Sequence, residues 1–293
     1  MALESAHFPF PIRQARRLCG AMDEAVRQRA EAALEAVRAQ VSFFHEHFGR
    51  AESEWKHDGT RVTHADFAIS KALAHTLLER FPDDQFFSEE TEASTEPVPL
   101  RSRFVWIVDP IDGTNNYALG IPVCAISLAL LEHGMPVCGF VYDGGLRTLF
   151  HGGPGIGLFA DGAPITKGDS TPRHEKVVAV HTPISPGNHE LVSRLITGFK
   201  LRAYGSGALH LTYAALGRID AALDLTVRVW DIAAAHAFCA VTGVGVRFLD
   251  AEVFPMKTFD VHMKPIRYMA GPPELLDRLE EIVREVGAFA GEG

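Results

Sequence analysis

The feature that most constrains this chain is the stretch at residues 104–113, Phe-Val-Trp-Ile-Val-Asp-Pro-Ile-Asp-Gly. Its first five residues are apolar without alternation, which predicts a buried strand covered on both faces. Asp109 stands just past the end of that run. Pro110 has no N–H to donate and is expected to stop the ladder there. Gly113 can take backbone angles closed to other residues, so Asp112-Gly113 turns the chain. Two carboxylates three residues apart then face one space with the Ile111 carbonyl between them, a set of hard oxygen ligands of the kind Mg²⁺ accepts. If a helical turn begins at Gly113-Thr114-Asn115-Asn116, its unpaired N–H groups point outward and suit a phosphate. Metal ligands and phosphate donors close together are what phosphoryl transfer needs.

Three other readings of the segment compete with this one. An isolated Asp-Gly at a strand end is usually an ordinary turn, but a bare turn requires neither Asp109 nor Thr114. An aspartyl-phosphate phosphatase also opens on a buried strand, but that strand ends DxDGT with the first Asp as nucleophile. Here the spacing is DxxDGT with Pro110 between, and the geometry does not match. An EF-hand needs Glu at loop position twelve; counted from Asp109, that position is Gly120.

The rest of the chain narrows the class. A length of 293 residues, 47% hydrophobic, allows a large core in one domain or two coupled halves. The formal net charge of −9 argues against nonspecific nucleic-acid binding. It does not argue against phosphate substrates, because bound divalent ions invert the local field. No apolar run is long enough to span a bilayer, and the N-terminus lacks the order of a signal peptide, so a soluble cytoplasmic protein is expected. Cys19, Cys124, Cys138 and Cys239 show no CxxC spacing, which leaves reduced thiols as the plain reading. The histidines form neither an HExxH nor a tight His-Cys cluster. The glycine run at 152–157 lacks the Lys and helix of a P-loop and reads as a hairpin turn.

Hydrophobic periodicity divides the chain into an extension at 1–21, an α+β part at 22–175 and an α/β part at 176–293. Helices are expected over 23–48, 63–80, 188–198, 208–217, 232–241 and 273–286. Strands are expected at 85–88, 104–108, 123–131, 136–142, 146–150, 156–159, 177–181, 219–225, 244–249 and 268–270.

Residues 106–117, Trp-Ile-Val-Asp-Pro-Ile-Asp-Gly-Thr-Asn-Asn-Tyr, resemble the first signature of the inositol monophosphatase family of metal-dependent, lithium-sensitive phosphatases. Residues 229–234, Val-Trp-Asp-Ile-Ala-Ala, resemble its second, and the hairpin stretches 139–143 and 155–162 resemble the region between. The likeness runs from about Asp23 to the C-terminus. It implies a layered αβαβα sandwich, a homodimer, and two or three Mg²⁺ held by Glu89, Asp109, the Ile111 carbonyl, Asp112 and Asp231. Glu89 comes from a Ser88-Glu89-Glu90 element, and Asp66 from a Thr63-His64-Ala65-Asp66 element whose acid works with the signature Thr114. Lys56 and Asp58 match the family's lead-in only loosely.

The mechanism implied is attack by metal-activated water. Glu89, Asp66 and Thr114 serve catalysis, Gly113 and Thr114 hold phosphate, and no covalent phosphoenzyme forms. Substrate contacts would come from Gly205, Ser206 and Asp224. Asp224 stands where inositol-specific relatives carry Glu, and Gly207 replaces a small apolar residue. A small-molecule phosphate ester is expected: inositol monophosphate or another polyol phosphate first, histidinol phosphate second, with a 3′(2′),5′-bisphosphate nucleotide also in range. Some members of this fold instead serve as binding proteins for RNA-processing machinery, and that reading stays open beside the enzyme.

Overall fold

The computed structural model describes residues 23–50, 53–55, 61–91, 96–165 and 175–286. The expected N-terminal extension, Cys19, Lys56 and Asp58 lie outside them. Helix α1 (Glu24–His47) begins where the Asp23 carboxylate accepts the Ala25 N–H at 2.8 Å, and it buries a stripe running from Val26 through Ala33 and Val37 to Phe44. Strands β1 (Ser53–Trp55) and β2 (Arg61–Thr63) form an antiparallel ribbon leading into α2 (His64–Arg80). Thr63 and Asp66 form a reciprocal capping box: the Ala65 N–H donates to Thr63 Oγ1 at 3.2 Å and the Thr63 N–H to Asp66 Oδ2 at 2.7 Å. That box fixes the start of α2.

Next come β3 (Gln85–Ser88), β4 (Val98–Pro99), β5 (Phe104–Asp112), α3 (Thr114–Leu119), β6 (Ala125–Glu132), β7 (Met135–Asp143), β8 (Thr148–Gly153), β9 (Gly157–Ala160) and β10 (Ala163–Pro164). They build a seven-stranded sheet in the order β10-β9-β8-β7-β6-β5-β3, antiparallel except for the parallel pair β3–β5. The chain continues through β11 (Val177–Val180), α4 (His189–Gly198), β12 (Lys200–Arg202), α5 (Gly207–Ala215), β13 (Ala221–Val227), α6 (Val229–Thr242), β14 (Gly245–Phe248), β15 (Thr258–Phe259), β16 (Ile266–Gly271) and α7 (Pro273–Glu285). A second sheet has the order β12-β11-β13-β16-β14, and β15 crosses back to pair with β4.

The pleat of β5 explains the layering. Phe104, Trp106 and Val108 point to one face, where they join Val37, Phe44, Ile69 and Leu73 of α1 and α2 in one core. Val105 and Ile107 point to the other, where they join Leu209 of α5 and Ile232 and Ala233 of α6 in a second core, which also takes in Ala222 and Tyr268 of the second sheet. The far face of that sheet, with Val178, Leu223 and Met269, packs on Leu191 and Leu195 of α4 and on Leu276 and Leu279 of α7. The order is helices, sheet, helices, sheet, helices, the expected αβαβα sandwich. Helix α6 lies flush on the first sheet because Ala233, Ala234, Ala235 and Ala237 are small; a side chain in place of Gly139 on β7 would overlap the Ala234 carbonyl. A buried polar anchor ties the outer helices to β5. Asp84 takes a bidentate pair from Arg29 of α1 at 2.9 and 2.7 Å and the Trp106 indole N–H at 3.0 Å.

Two expectations are corrected. Pro110 does not end β5: pairing with β6 skips Pro110 and Ile111 and resumes at Asp112 with Ala125. The local irregularity bends the strand without terminating it, as an extra residue in a ladder does. Helix α6 begins at Val229, not Ile232, so Asp231 sits inside its first turn. The later sheet is mixed, since β16 runs antiparallel to β13 and β14. Cys124, Cys138 and Cys239 are buried free thiols. Among the described residues, no helix is long and apolar enough to cross a membrane.

Candidate active site

Continued pleating of β5 places Asp109 on the face shared with Val105 and Ile107, toward α5 and α6. Asp231 comes from the first turn of α6 and Asp112 from the last residue of β5. Carboxylate oxygens of Asp109, Asp112 and Asp231 all lie within 4.8 Å of one another. Parallel pairing of β3 with β5 brings Glu89 alongside, where its N–H donates to the Val108 carbonyl at 3.1 Å.

Each carboxylate is held by its own donors. Asp109 Oδ1 accepts the Ile111 N–H at 3.1 Å. Asp231 Oδ2 accepts the Arg228 N–H at 2.7 Å. Asp112 is the most heavily engaged. Its Oδ2 takes the Ser206 hydroxyl and the Ala208 N–H (3.0 Å), and its Oδ1 takes the Gly207 N–H at 3.2 Å. Asp112 therefore sits on the N-terminus of α5, where free N–H groups and the helix dipole favour an anion. The Thr114 hydroxyl donates to the Ile111 carbonyl at 2.9 Å and lies 3.5 Å from Asp66 Oδ1. Asp66 Oδ2 accepts from both the N–H and the hydroxyl of Thr63, at 2.7 and 2.6 Å.

Crowded acids in a dry site resist ionisation. Burial, followed by the charges of Glu89, Asp112 and Asp231, holds Asp109 well above the ordinary carboxylate range. Burial and then Asp112 do the same to Asp231. Burial pushes Asp112 up to about 6 against the pull of Ser206 and the α5 amides, and it pushes Asp66 up to about 7. Such a cluster favours a cation beside it. Its donors are carboxylates with a carbonyl beside them, the hard oxygen set that fits Mg²⁺ rather than a softer metal.

Gly113 closes the turn before α3 with φ +81°. A Cβ there would fall 2.9 Å from the Gly205 carbonyl oxygen and 3.0 Å from that of Val123, so only glycine lets the two loops meet. Glu89, Asp109, Ile111, Asp112, Asp231, Asp66 and Thr114 thus occupy one neighbourhood, with Gly113 and Gly205 at its wall. Two expected substrate contacts are engaged by the protein's own groups. Ser206 caps α5, accepting the Leu209 N–H at 3.2 Å, and spends its proton on Asp112. Asp224 is fully buried and accepts from His210 Nδ1 at 3.0 and 3.1 Å and from the Tyr268 hydroxyl at 3.0 Å. Sequence reasoning gave Thr63 and Ala208 no role at the site and missed His210. The Ser206 cap was open to discovery, since Gly-Ser before an apolar helical run is a start signal.

Comparison with known proteins places the chain in a family. The family model of the inositol monophosphatase family matches residues 21–287. Inositol monophosphatase 3 of Solanum lycopersicum is 32% identical over 224 residues, covering 73% of this chain and 83% of that protein. A histidinol-phosphatase of Mycobacterium tuberculosis is 34% identical over 209 residues, covering 68% and 78%. Among solved structures, an IMPase/NADP phosphatase complexed with Mg²⁺ and phosphate superposes with a TM-score of 0.74 at 22% identity, over 89% of this chain and 96% of that one. The chain belongs to the inositol monophosphatase family and is a phosphoric monoester hydrolase of that family.

Proposed function

We propose that this protein hydrolyses a small-molecule phosphate monoester with Mg²⁺, inositol 1-phosphate or a similar polyol phosphate being the foremost substrate. The observation that carries the proposal is the cluster of Asp109, Asp112 and Asp231 oxygens within 4.8 Å. With Glu89 and the Ile111 carbonyl they would hold two or three Mg²⁺. When bound, such ions supply Lewis acidity, which activates water and neutralises a leaving alkoxide.

The chain's own groups do the rest. The Thr114 hydroxyl and Asp66 flank the space beside the Ile111 carbonyl. They orient the attacking water, and Asp66, which burial holds above the ordinary carboxylate range in the metal-free protein, takes its proton. The Gly113 and Thr114 N–H groups at the start of α3 hold the phosphate oxygens. Residues 22–175 supply phosphate donors and most ligands, and 176–293 supply Asp231 and the wall around Gly205. A cytoplasmic homodimer belongs to the same proposal, and light scattering would report a dimer mass.

Substrate class is tested by phosphate release over a panel of inositol 1-phosphate, fructose 1,6-bisphosphate, histidinol phosphate and 3′-phosphoadenosine 5′-phosphate, with and without Mg²⁺. Fastest Mg²⁺-dependent release from the inositol ester supports the reading. Fastest release from histidinol phosphate moves the substrate to the alternative raised by the Mycobacterium tuberculosis relative. Mg²⁺ binding without release from any ester supports a binding role instead.

A further inference from the structure

We propose that Asp224 and His210 form a buried positioning pair that fixes the loop carrying Ser206, and through it two of the clustered carboxylates. Asp224 then has no part in touching substrate. The proposal rests on the reading that Asp112 and Asp231 hold Mg²⁺.

The protons define the pair. The Tyr204 backbone N–H donates to His210 Nε2 at 3.1 Å. Since a backbone amide is only a donor, Nε2 must present its lone pair, and the ring proton lies on Nδ1, aimed at Asp224. His210 is thereby neutral, with both nitrogens committed. This also removes a competing possibility. Atoms of His181, His210 and Asp224 lie within 4.8 Å of one another, close enough to suggest a second metal site. Ligation at His210 Nδ1 would expel its proton, and Nε2 cannot take that proton while it faces the Tyr204 N–H. Asp224 is closed as well, with 0% exposure and both oxygens occupied by His210 and Tyr268.

The Tyr204 end leads to the acidic cluster. The Tyr204 carbonyl accepts from Asn116 Nδ2 at 2.7 Å, and the same amide nitrogen donates to the Val123 carbonyl at 2.8 Å. Gly205 follows with φ +71°, so close to Asn116 that a Cβ would lie 3.0 Å from Nδ2. Ser206, Gly207 and Ala208 then deliver their three donors to Asp112. A Cβ on Gly207 would lie 3.1 Å from Cβ of Asp231. One short segment thus grips Asp112 and abuts Asp231, and its entry is pinned between Asn116 on one side and His210 on the other. A buried carboxylate behind His210 makes Nε2 a stronger acceptor and holds the ring in one orientation.

Calorimetric titration of Mg²⁺ into the full chain, which reads ion affinity without turnover, and steady-state kinetics with Mg²⁺ titrated against several phosphate esters of different alcohols test this together. Asp224→Asn is expected to raise the Mg²⁺ needed for half-maximal activity and to lower kcat by a common factor across the panel, in the range of about ten- to hundredfold that such outer contacts cost. The ranking of esters by KM should stay unchanged. His210→Phe should give the same signature, and the double variant should be no worse than either single change. Asn116→Ala, which cuts the tether from the other side, gives the same Mg²⁺ shift and serves if the buried variants do not fold. A re-ranking of esters at unchanged Mg²⁺ requirement makes Asp224 a substrate contact and overturns the proposal. If the unmodified protein shows no Mg²⁺-dependent release at all, the reading beneath it falls, and the pair's role falls with it.

Discussion

Asp112 shows how much one residue is asked to do. It ends β5, offers an oxygen to the acidic cluster and accepts three donors from the start of α5. In Asp112→Asn an NH₂ replaces one oxygen and must face either those donors or the ions. We expect Mg²⁺ affinity to fall by more than the roughly hundredfold that outer contacts cost, with the fold retained by circular dichroism; near-normal turnover would remove Asp112 from the ligand set. Thr114 is the complementary case. Thr114→Val deletes the hydroxyl lodged between the Ile111 carbonyl and Asp66. Steady-state kinetics should show kcat down by about a hundredfold at little-changed Mg²⁺ affinity. An equal loss of Mg²⁺ affinity would make the hydroxyl part of ion holding instead of water orientation.

At the scale of elements, His151 offers a test independent of the site. It lies in β8 with its ring stacked near Phe140 and Phe159, at centroid distances of 6.2 and 5.3 Å. Its buried Nε2 has no partner among the described residues, and burial pushes the ring down to about 4. The folded value lies below the ordinary 6.5, so stability is present above that pH and is lost as the pH falls toward 4. Replacing His151 by Phe should therefore raise the melting temperature, with an advantage on the order of 2 kcal/mol at pH 5 that shrinks toward pH 8. An unchanged pH slope would mean that the ring finds a proton partner. Elements were legible where local chemistry marks them. Thr63 and Asp66 announce the start of α2, and the apolar run at 104–108 announces β5. The start of α6 was misplaced because Val229 and Trp230 are apolar and carry no start signal. Strand β12, Lys200-Leu201-Arg202, is three residues long with charged ends, as edge strands often are, and it left no pattern to read. The grip of Ser206 on Asp112 spans 94 residues of sequence and exists only once both sheets are layered.

For the whole molecule, the five layers force acids from the turn after β3, from β5 and from α6 into one small volume, and the fold bears their repulsion. Without metal, Asp66 and Asp112 have folded values of about 7 and 6 against an ordinary 3.8. A raised acid favours the folded state below its unfolded value, and that contribution is lost as the pH rises through the folded value. The metal-free protein should thus lose stability between about pH 4 and 7, and Mg²⁺ should restore it, since bound cations favour the ionised form of the acids they touch and of those nearby. Thermal melts with and without Mg²⁺ should separate little at pH 5 and, at a hundredfold excess over Kd, by roughly 5 °C or more at pH 8. A gap that narrows as pH rises would contradict this. The central claim, that these carboxylates load Mg²⁺ to hydrolyse a phosphate ester, is met most directly by phosphate release from inositol 1-phosphate under Mg²⁺ titration, in the native chain and in Asp231→Asn. The expected result is saturable, chelator-reversible release in the native chain and its collapse in the folded variant; equal, Mg²⁺-independent rates in the two proteins would contradict the claim.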